Sequence, residues 1–327
     1  MSPARFHIAS ALLCVGFGTG CRGRQSALEP AGRGAEQLAD LFWWMTAGAA
    51  VVWLGVAALT FYALRVRHEN ASAERRAKLL IIGGGVVVPT VVLAALLTYG
   101  LSILPGLLAP AKPGSLKIAV VGEQWWWRVR YQLPGAEPLE TANEVRLPVG
   151  EVVEFELSSP DVIHAFWIPS LGGKMDMIPG RKTRLTLEPT RTGTFRGVCA
   201  EYCGASHALM AFDVVVMEKE AFARWLEEQR QPARAPETER ERSGHERFFK
   251  NGCAACHAVR GTEARGHMGP ELTRVGARGS IGAGILPNDT DGFTRWLERT
   301  DKVKPGVLMP HYGMLPKEEV RIMAEYL

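Results

Sequence analysis

Residues 199–210 read Cys199-Ala-Glu-Tyr-Cys203-Gly-Ala-Ser-His207-Ala-Leu-Met210, so two thiols, an imidazole and a thioether lie close together in the chain. Soft sulfur donors combined with imidazole favour copper, zinc or iron–sulfur centres over hard ions such as magnesium. The stretch lies between two β-rich runs, and Gly204 interrupts it. We therefore predict a loop that joins two strands at one end of a β-domain and surrounds a metal ion.

The region around this loop, residues 115–217, consists of short β-rich runs separated by turn residues. The runs predicted as strands are residues 116–121, 128–132, 152–157, 184–187, 193–198 and 212–217. Turn signals such as Pro134-Gly135 and Pro179-Gly180 lie between them. Several short strands with turn signals predict an all-β sandwich or barrel, and the region has no helical run long enough for a βαβ unit.

The donors of the loop are compatible with several kinds of site. A Cys199–Cys203 disulfide suits an oxidising compartment but gives His207 and Met210 no role. Zinc takes thiolate and imidazole, but thioether is a poor zinc ligand. A mononuclear copper site takes one Cys, two His and an axial Met, which leaves one Cys unused. A dinuclear copper centre uses every donor but needs a second imidazole, for which His164 is the best candidate.

The N-terminus has the features of an export signal. Residues 1–21 have a basic start, a short apolar core and a small-residue exit, which is typical of a secretory leader. Gly-Thr-Gly before Cys21 predicts lipoprotein-type cleavage with Cys21 as a lipid-bearing N-terminus, although Gly18 replaces the usual aliphatic residue. The alternative is an uncleaved, unmodified leader with incidental cysteines.

Two long uncharged stretches follow, residues 41–64 and 79–111. Each exceeds the roughly 20 apolar residues that a membrane-spanning helix needs, so residues 38–111 are predicted to form a transmembrane helical hairpin. The connection between the spans carries the basic residues Arg65, Arg67, Arg75, Arg76 and Lys78. By the positive-inside rule the connection is cytoplasmic, and the chain beyond the hairpin is extracytoplasmic.

The C-terminal third contains a second cofactor motif. Residues 218–243 are charged and contain prolines, which predicts a hydrophilic linker whose first part, residues 219–229, can form a short helix. Residues 244–327 regain globular, helical patterning. Cys253-Ala-Ala-Cys256-His257 has the C-x-x-C-H spacing typical of a covalent c-type haem. Cys253 and Cys256 are the predicted attachment thiols, and His257 is the predicted iron ligand.

The sixth haem ligand has to come from further along the chain. The segment Lys304-Pro-Gly-Val-Leu-Met309 resembles the distal methionine loop of class I cytochromes c, which makes Met309 the preferred ligand. Met314 or a histidine is the alternative. Met268 lies too near the attachment site to reach the opposite haem face.

Composition limits the classes of function. The formal net charge is +4 and dense Lys/Arg tracts are absent from the sequence, which gives no reason to expect nucleic acid as a partner. Of the six cysteines, four form the two close pairs described above, and Cys14 and Cys21 lie in the predicted leader. This pattern indicates cofactor sites and is too sparse for a disulfide scaffold.

Residues 25–217 resemble subunit II of haem–copper cytochrome c oxidases. Besides residues 199–210, the matching motifs are Ser26-Ala-Leu-Glu-Pro-Ala-Gly32, Gly122-Glu-Gln-Trp-Trp-Trp127, Asp161-Val-Ile-His164-Ala-Phe-Trp167-Ile-Pro169 and Lys174-Met-Asp176-Met-Ile-Pro-Gly-Arg181. The resemblance implies a transmembrane helical hairpin followed by an all-β cupredoxin-like Greek-key barrel over residues 115–217. The further fusion to an all-α class I cytochrome c domain resembles the caa-type oxidases.

The resemblance also implies a set of metal ligands. A binuclear Cu(A) centre would be bound by His164, Cys199, Cys203, His207, Met210 and the backbone carbonyl of Glu201. The Glu201 side chain falls where the family binds a magnesium ion shared with subunit I.

Two further regions are assigned roles by the resemblance. Trp125, Trp126 and Trp127 fall in the aromatic region through which electrons enter the family's copper domain. Because side chains alternate along a strand, the three rings cannot all point inward, and at least one is expected at an interface. Ile82 stands where many family members have a Glu associated with proton uptake, so proton uptake through this subunit would need another group.

The function implied is that of an electron-transfer subunit in a proton-translocating cytochrome c oxidase. Electrons from a cytochrome c would pass through the covalent haem c and Cu(A) to catalytic subunit I, where oxygen is reduced. The implied partners are subunits I and III, the donor cytochrome c and membrane lipid. The implied location is the bacterial cell (inner) membrane, with both soluble domains on the periplasmic side.

Two alternatives remain open: a subunit of a Cu(A)-containing nitric oxide reductase, and a membrane-tethered electron carrier without an oxidase partner. A quinol oxidase subunit is excluded, because such relatives lack the two thiols that Cys199 and Cys203 provide.

Overall fold

A computed structural model of the chain describes residues 22–66 and 72–327. The predicted leader, including Cys21 and its expected lipid, lies outside the described residues. The chain forms two compact units: Gln37–Ala109 is one, and the described residues up to Glu36 together with Pro110–Leu327 are the other.

The first unit contains two long apolar helical segments. Helix α1 is Arg33–Arg65, and the second segment runs from α2 (Ser72–Leu79) through a π-helical stretch, Leu80–Val87, into α3 (Val88–Leu108). Both segments are long and apolar enough to cross a membrane. This confirms the two apolar helices predicted ahead of the β-domain.

The π-helical stretch has a local cause in the sequence. The backbone N–H of Val88 donates to the carbonyl of Gly83, five residues earlier. The next residue, Pro89, has no N–H, and its ring crowds the carbonyl one turn before it. A widened turn relieves that crowding. The three glycines at the centre of the stretch have no side chains that would oppose the widening.

The β-domain consists of two five-stranded sheets with the strand orders β3-β2-β1-β5-β8 and β4-β10-β9-β6-β7. Neighbouring strands are antiparallel except for the pairs β1–β5 and β4–β10. The strands are β1 Leu116–Glu123, β2 Trp126–Gln132, β3 Leu139–Ala142, β4 Glu144–Pro148, β5 Val153–Ser158, β6 His164–Trp167, β7 Met175–Met177, β8 Thr183–Leu187, β9 Gly193–Cys199 and β10 Ala211–Met217. The cupredoxin-like all-β prediction is therefore confirmed.

The core between the two sheets is aromatic. The Trp127 ring of β2 packs edge-on against Phe166 and Phe212 of the other sheet, with ring centroids 5.8 and 5.1 Å apart. Such edge-to-face pairs contribute about 0.5–1.5 kcal/mol each beyond the burial of their area. Phe166 lies in β6, which pairs with β9, and Phe212 lies in β10. This packing therefore also holds the strands around residues 199–210 in place.

Four strands were not predicted: β3, β4, β6 and β7. All four are short, and β3, β4 and β7 carry charged residues that burial alone would disfavour. The structure pairs these charges, as between Arg128 of β2 and Glu140 of β3 (2.7 Å) and between Glu144 and Arg146 within β4 (2.7 Å). Hydrophobic periodicity does not reveal such strands, because the partner of a buried charge is either distant in sequence or another charged residue on the same face of the strand.

Two helices cover most of the predicted linker. Helix α4, Lys219–Arg230, packs Trp225 against Tyr131 of the β-domain, with ring centroids 5.2 Å apart. Helix α5, Glu239–Lys250, begins before residue 244 because Thr238 and Glu241 form a reciprocal capping box. The non-helical connection is therefore shorter than residues 218–243 and covers residues 231–238.

The C-terminal domain is helical, as predicted. Besides α5 it contains α6, Thr290–Val303, and α7, Lys317–Tyr326, together with the two-residue strands β11, Ser280–Ile281, and β12, Leu286–Pro287. Helices α5 and α7 cross closely at Gly244, where a Cβ would lie 2.5 Å from the Cβ of Tyr326. A glycine is therefore required at this crossing.

Candidate copper and haem centres

The thiol pair lies where two strands of one sheet end. Cys199 is the last residue of β9 and pairs with Phe166 of β6, two residues after His164. The chain then turns through residues 200–206 and a short 3₁₀ helix, His207–Leu209, before β10 begins. The predicted strand-joining loop is thus present, and the sheet brings His164 from a separate strand to its base.

Each predicted donor lies within reach of the next. The Nδ1 atom of His164 is 3.8 Å from the Sγ of Cys199, which is 3.8 Å from the Sγ of Cys203. The Sγ of Cys203 is 3.6 Å from the Nδ1 of His207 and 3.8 Å from the Sδ of Met210. Cys199, Cys203, His164 and Met210 are buried.

The backbone carbonyl and the side chain of Glu201 lie in different environments. Its backbone carbonyl oxygen lies 3.2 Å from the Sγ of Cys199, inside the donor cluster. Its side chain is partly exposed at the surface of the loop. The carbonyl is thus available to the metal position, and the carboxylate is available to a separate partner.

Asp161 holds the ring of His164 in place and was not singled out as a functional residue from the sequence. Its Oδ1 lies 3.0 Å from the Nε2 of His164, which leaves Nδ1 for the thiol side. Burial opposes ionisation of Asp161, but hydrogen bonds from the backbone N–H groups of Gln124 and Val162 lower its pKa below the usual value. An acidic residue three positions before a candidate ligand histidine was the available signal, because ligating histidines are commonly oriented by carboxylates.

The two thiols differ in acidity. The hydrogen bond with Cys203 is the main reason that the pKa of Cys199 falls well below its usual value, and a second hydrogen bond to His164 adds to it. The same contact raises the pKa of Cys203, because a second negative charge beside Cys199 is unfavourable. A metal cation in contact with both sulfurs would remove this penalty, since a coordinating thiol is deprotonated outright.

This donor set fits copper. Two thiols, two imidazoles and a thioether lie together, all of them buried except the partly exposed His207, and the soft sulfur ligands favour copper. The thiols are free and 3.8 Å apart. The thioether of Met210, which zinc would leave unused, lies within the cluster.

The three tryptophans have three different environments. Trp127 is completely buried in the aromatic core. Trp126 is half-buried, and the Arg128 guanidinium lies over its ring at 4.6 Å. Trp125 is also buried, and its indole N–H donates to the carbonyl of Cys203 over 3.0 Å. One ring of the three therefore contacts the thiol loop directly.

The haem motif forms a tight turn in the C-terminal domain. Cys253–Ala255 is a 3₁₀ turn, and the backbone N–H of His257 donates to the carbonyl of Cys253 over 3.0 Å. The thiols of Cys253 and Cys256 are free and partly exposed. Burial raises the pKa of the Cys253 thiol.

The orientation of His257 suits an iron ligand. Its Nδ1 lies 2.7 Å from the carbonyl of Pro270, which leaves Nε2 free to coordinate. Burial lowers the pKa of His257 and so favours the neutral form that binds metals. Gly269 lies directly against the ring, because a Cβ there would be 2.5 Å from the Cε1 of His257.

The candidates for the sixth ligand differ in burial. Met309 packs against the hydrophobic core formed by α6, α7 and their connections. Met268 and Met314 are 71% and 70% exposed, and His267 and His311 are exposed. The donor set of His257 and Met309, with two thiols in the attachment turn, fits a covalent haem.

Two family models match the chain. The model described as "Cytochrome C oxidase subunit II, periplasmic domain" matches residues 132–218, and the model described as "Cytochrome c" matches residues 242–327. The first contains the thiol loop, and the second contains the C-x-x-C-H turn.

Two relatives similar to the chain are both named as cytochrome c oxidase subunit 2. The cytochrome c oxidase subunit 2 of Alkalihalophilus pseudofirmus is 38% identical over 210 residues, which is 64% of this chain and 60% of that protein. The cytochrome c oxidase subunit 2 of Bacillus subtilis is 33% identical over 223 residues, 65% of this chain and 62% of that protein. The chain thus spans about three fifths of the length of these relatives.

Among solved structures, the periplasmic domain of subunit II of cytochrome oxidase from Bradyrhizobium japonicum aligns at 34% identity with a TM-score of 0.34. The alignment covers 37% of this chain and 95% of that chain.

Fold, sites and matches together define a membrane-anchored protein in which a cupredoxin-like copper domain is followed by a haem-binding cytochrome c domain. Residues 132–218 belong to the family of cytochrome c oxidase subunit II periplasmic domains, and the C-terminal residues 242–327 belong to the cytochrome c family.

Proposed function

We propose that the chain is the electron-transferring subunit II of an aerobic, proton-translocating cytochrome c oxidase. Its C-terminal domain accepts electrons from a donor cytochrome c, and its β-domain passes them to the catalytic subunit I, where oxygen is reduced. The observation that carries this proposal is the continuous set of donors from His164 through both thiols to Met210, in the same compact unit as the haem turn.

The copper site is proposed to be the binuclear Cu(A) centre. The donors divide into two groups of matching composition, each with one thiol, one imidazole and one weaker donor. Cys199 lies near His164 and the Glu201 carbonyl, and Cys203 lies near His207 and Met210. Two copper ions would find ligands in all six groups, whereas one ion would leave a thiol unused.

The chain's own residues set up the chemistry of both centres. When bound, copper and haem supply one-electron transfer. Asp161 orients His164, and the Pro270 carbonyl orients His257. Burial of Cys199 and Cys203 keeps water away from the proposed copper ligands.

The proposed partners and location are based on the Glu201 carboxylate and the two apolar helices. The partly exposed Glu201 carboxylate is proposed to bind magnesium shared with subunit I. The two apolar helices are proposed to span the bacterial inner membrane beside subunits I and III and membrane lipid, with the basic connection cytoplasmic and both soluble domains periplasmic.

The order of electron transfer can be tested with the purified, metal-loaded complex. Reduced cytochrome c is mixed rapidly with the oxidised complex, and the haem c band and the copper absorption are followed together under anaerobic conditions. We expect the haem c band to be reduced first and the copper band afterwards. Reduction of copper ahead of haem c would contradict the proposed order. Turnover of nitric oxide in place of oxygen would assign the complex to the reductase class.

A further inference from the structure

Lys304 of the cytochrome c domain is almost completely buried although its side chain carries an amino group. It is 2% exposed. Its Nζ donates to the carbonyl of Leu209, next to Met210 in the thiol loop, over 2.8 Å, and to the carbonyl of Gly282 over 2.9 Å. One side chain therefore ties the two domains together directly beside the copper ligands.

Burial of this group is costly unless its hydrogen bonds are made. Burial lowers the pKa of Lys304 to about 7. Both the ammonium and the neutral amine have enough N–H groups to serve the two carbonyls, so the contact persists in either form. The bond to Leu209 depends on the domains being in contact, because Leu209 belongs to the β-domain and Lys304 to the cytochrome c domain.

The next two residues continue the contact. The Pro305 carbonyl accepts a hydrogen bond of 2.6 Å from the hydroxyl of Ser206, which is itself completely buried. Gly306 has a φ of +85°. A Cβ at Gly306 would lie 2.7 Å from the Trp125 ring, so the backbone rests on the indole. The same indole donates to the Cys203 carbonyl, which connects Gly306 to the thiol loop through one side chain.

We propose that Lys304-Pro305-Gly306 is a docking element that fixes the cytochrome c domain on the copper loop, with Lys304 as the positioning residue that sets the rate of electron transfer between the two domains. The proposal rests on the electron-relay function proposed above. Met309 follows the element within a few residues, so a shift of the element displaces the segment that holds the proposed haem ligand.

A second group of contacts keeps the domains together independently of this element. The backbone N–H of Gly279 donates to Glu144 over 2.7 Å, the Ser280 hydroxyl donates to Asp213, and Arg196 donates to the Gly284 carbonyl over 3.1 Å. A change at Lys304 is therefore expected to loosen the contact at the copper loop without separating the domains.

The test uses the full chain in its complex, loaded with copper and haem. Haem c is reduced by a light pulse, and the rate at which the electron then reaches copper is measured in wild type and in Lys304→Met. The methionine keeps the length of the side chain and removes its hydrogen-bond donors. We expect a rate at least about tenfold lower, because two partly buried carbonyls at the domain contact lose their partner. Lys304→Arg, which keeps donors, should recover part of the rate. Lys302→Met is the matched control at an exposed lysine and should leave the rate unchanged.

Hydrogen exchange of the same variants gives a readout that does not depend on activity. Lys304→Met should speed exchange in residues 206–210 and 304–309, while the haem absorption and the copper paramagnetic signal stay as in wild type. Gly306→Ala should slow electron transfer similarly because its Cβ meets Trp125. Gly135→Ala is its control, with a comparable φ of +71° and open space around it.

Rates within twofold of wild type for both Lys304→Met and Gly306→Ala, with unchanged exchange, would overturn the docking proposal. A wild-type complex without the copper signal would instead overturn the proposed function, and the exchange measurement would still decide whether Lys304 docks the domains.

Discussion

The carboxylate of Asp161 determines which nitrogen of His164 faces the thiols, because its Oδ1 lies 3.0 Å from Nε2. The other nitrogen, Nδ1, lies 3.8 Å from the Sγ of Cys199. His164 is completely buried, so its ring has few alternative orientations. The metal site therefore depends on a residue that is not itself a proposed ligand.

Asp161→Asn should weaken copper binding. The amide keeps the size of the side chain but loses the charge that orients and polarises the imidazole, and such changes typically cost about 10–100-fold in metal affinity. Competition with a copper chelator measures the effect. Asp176→Asn, at an exposed carboxylate paired with Lys174, is the control and should bind copper as wild type does. Equal affinities for the two variants would contradict the role given to Asp161.

Cys203→Ser should abolish the proposed binuclear centre. A hydroxyl cannot replace a second soft thiolate ligand, so we expect the copper content to fall from the proposed two ions to one or none. Metal analysis and paramagnetic resonance of the full chain measure this. The haem c band should stay unchanged, which checks that the variant is folded. A variant that retains two coppers and the wild-type signal would show that Cys203 is not a ligand.

Met309→Ala should convert the haem from low spin to high spin, because the iron would lose its proposed sixth ligand. Met314→Ala, at an exposed methionine of the same region, is the matched control and should keep the low-spin spectrum. Absorption spectra of the oxidised and reduced chain distinguish the two outcomes. A spectral change in Met314→Ala alone would transfer the assignment to Met314.

Gly269→Ala should destabilise the cytochrome c domain. The added Cβ would lie 2.5 Å from the His257 ring, so ring or backbone has to move. Overpacking of this kind costs about 1–3 kcal/mol. Denaturant unfolding followed at the haem band measures it. Gly173→Ala has open space within 4 Å and serves as the control. If Gly269→Ala unfolded at the same denaturant midpoint as wild type, the segment would accommodate the added Cβ with no loss of stability.

The local chemistry of both centres was readable from the sequence. Cys199, Cys203, His207 and Met210 lie in one short loop, and Cys253, Cys256 and His257 lie in one turn, so covalent connection alone keeps each set together. The two apolar helices were equally clear, because a span needs only a continuous run of apolar residues.

Strands with paired charges were harder to detect. Glu140 of β3 and Glu144 of β4 look solvent-exposed in the sequence, yet Glu140 is partly buried in an ion pair with Arg128 of β2, and Glu144 is buried in an ion pair with Arg146. The start of α5 was also missed, because its capping box lies within a stretch whose charge and prolines indicated a linker.

The sequence by itself determined which ligand types are present and which domains carry them, since motifs of a few residues are fixed by covalent spacing. Only the tertiary structure decided how distant residues meet: His164 beside the Cys199 thiol, Trp125 on the Cys203 carbonyl, and Lys304 on the Leu209 carbonyl. These contacts join residues from separate strands and separate domains, and their distances depend on sheet register and domain packing, which local sequence patterns do not encode.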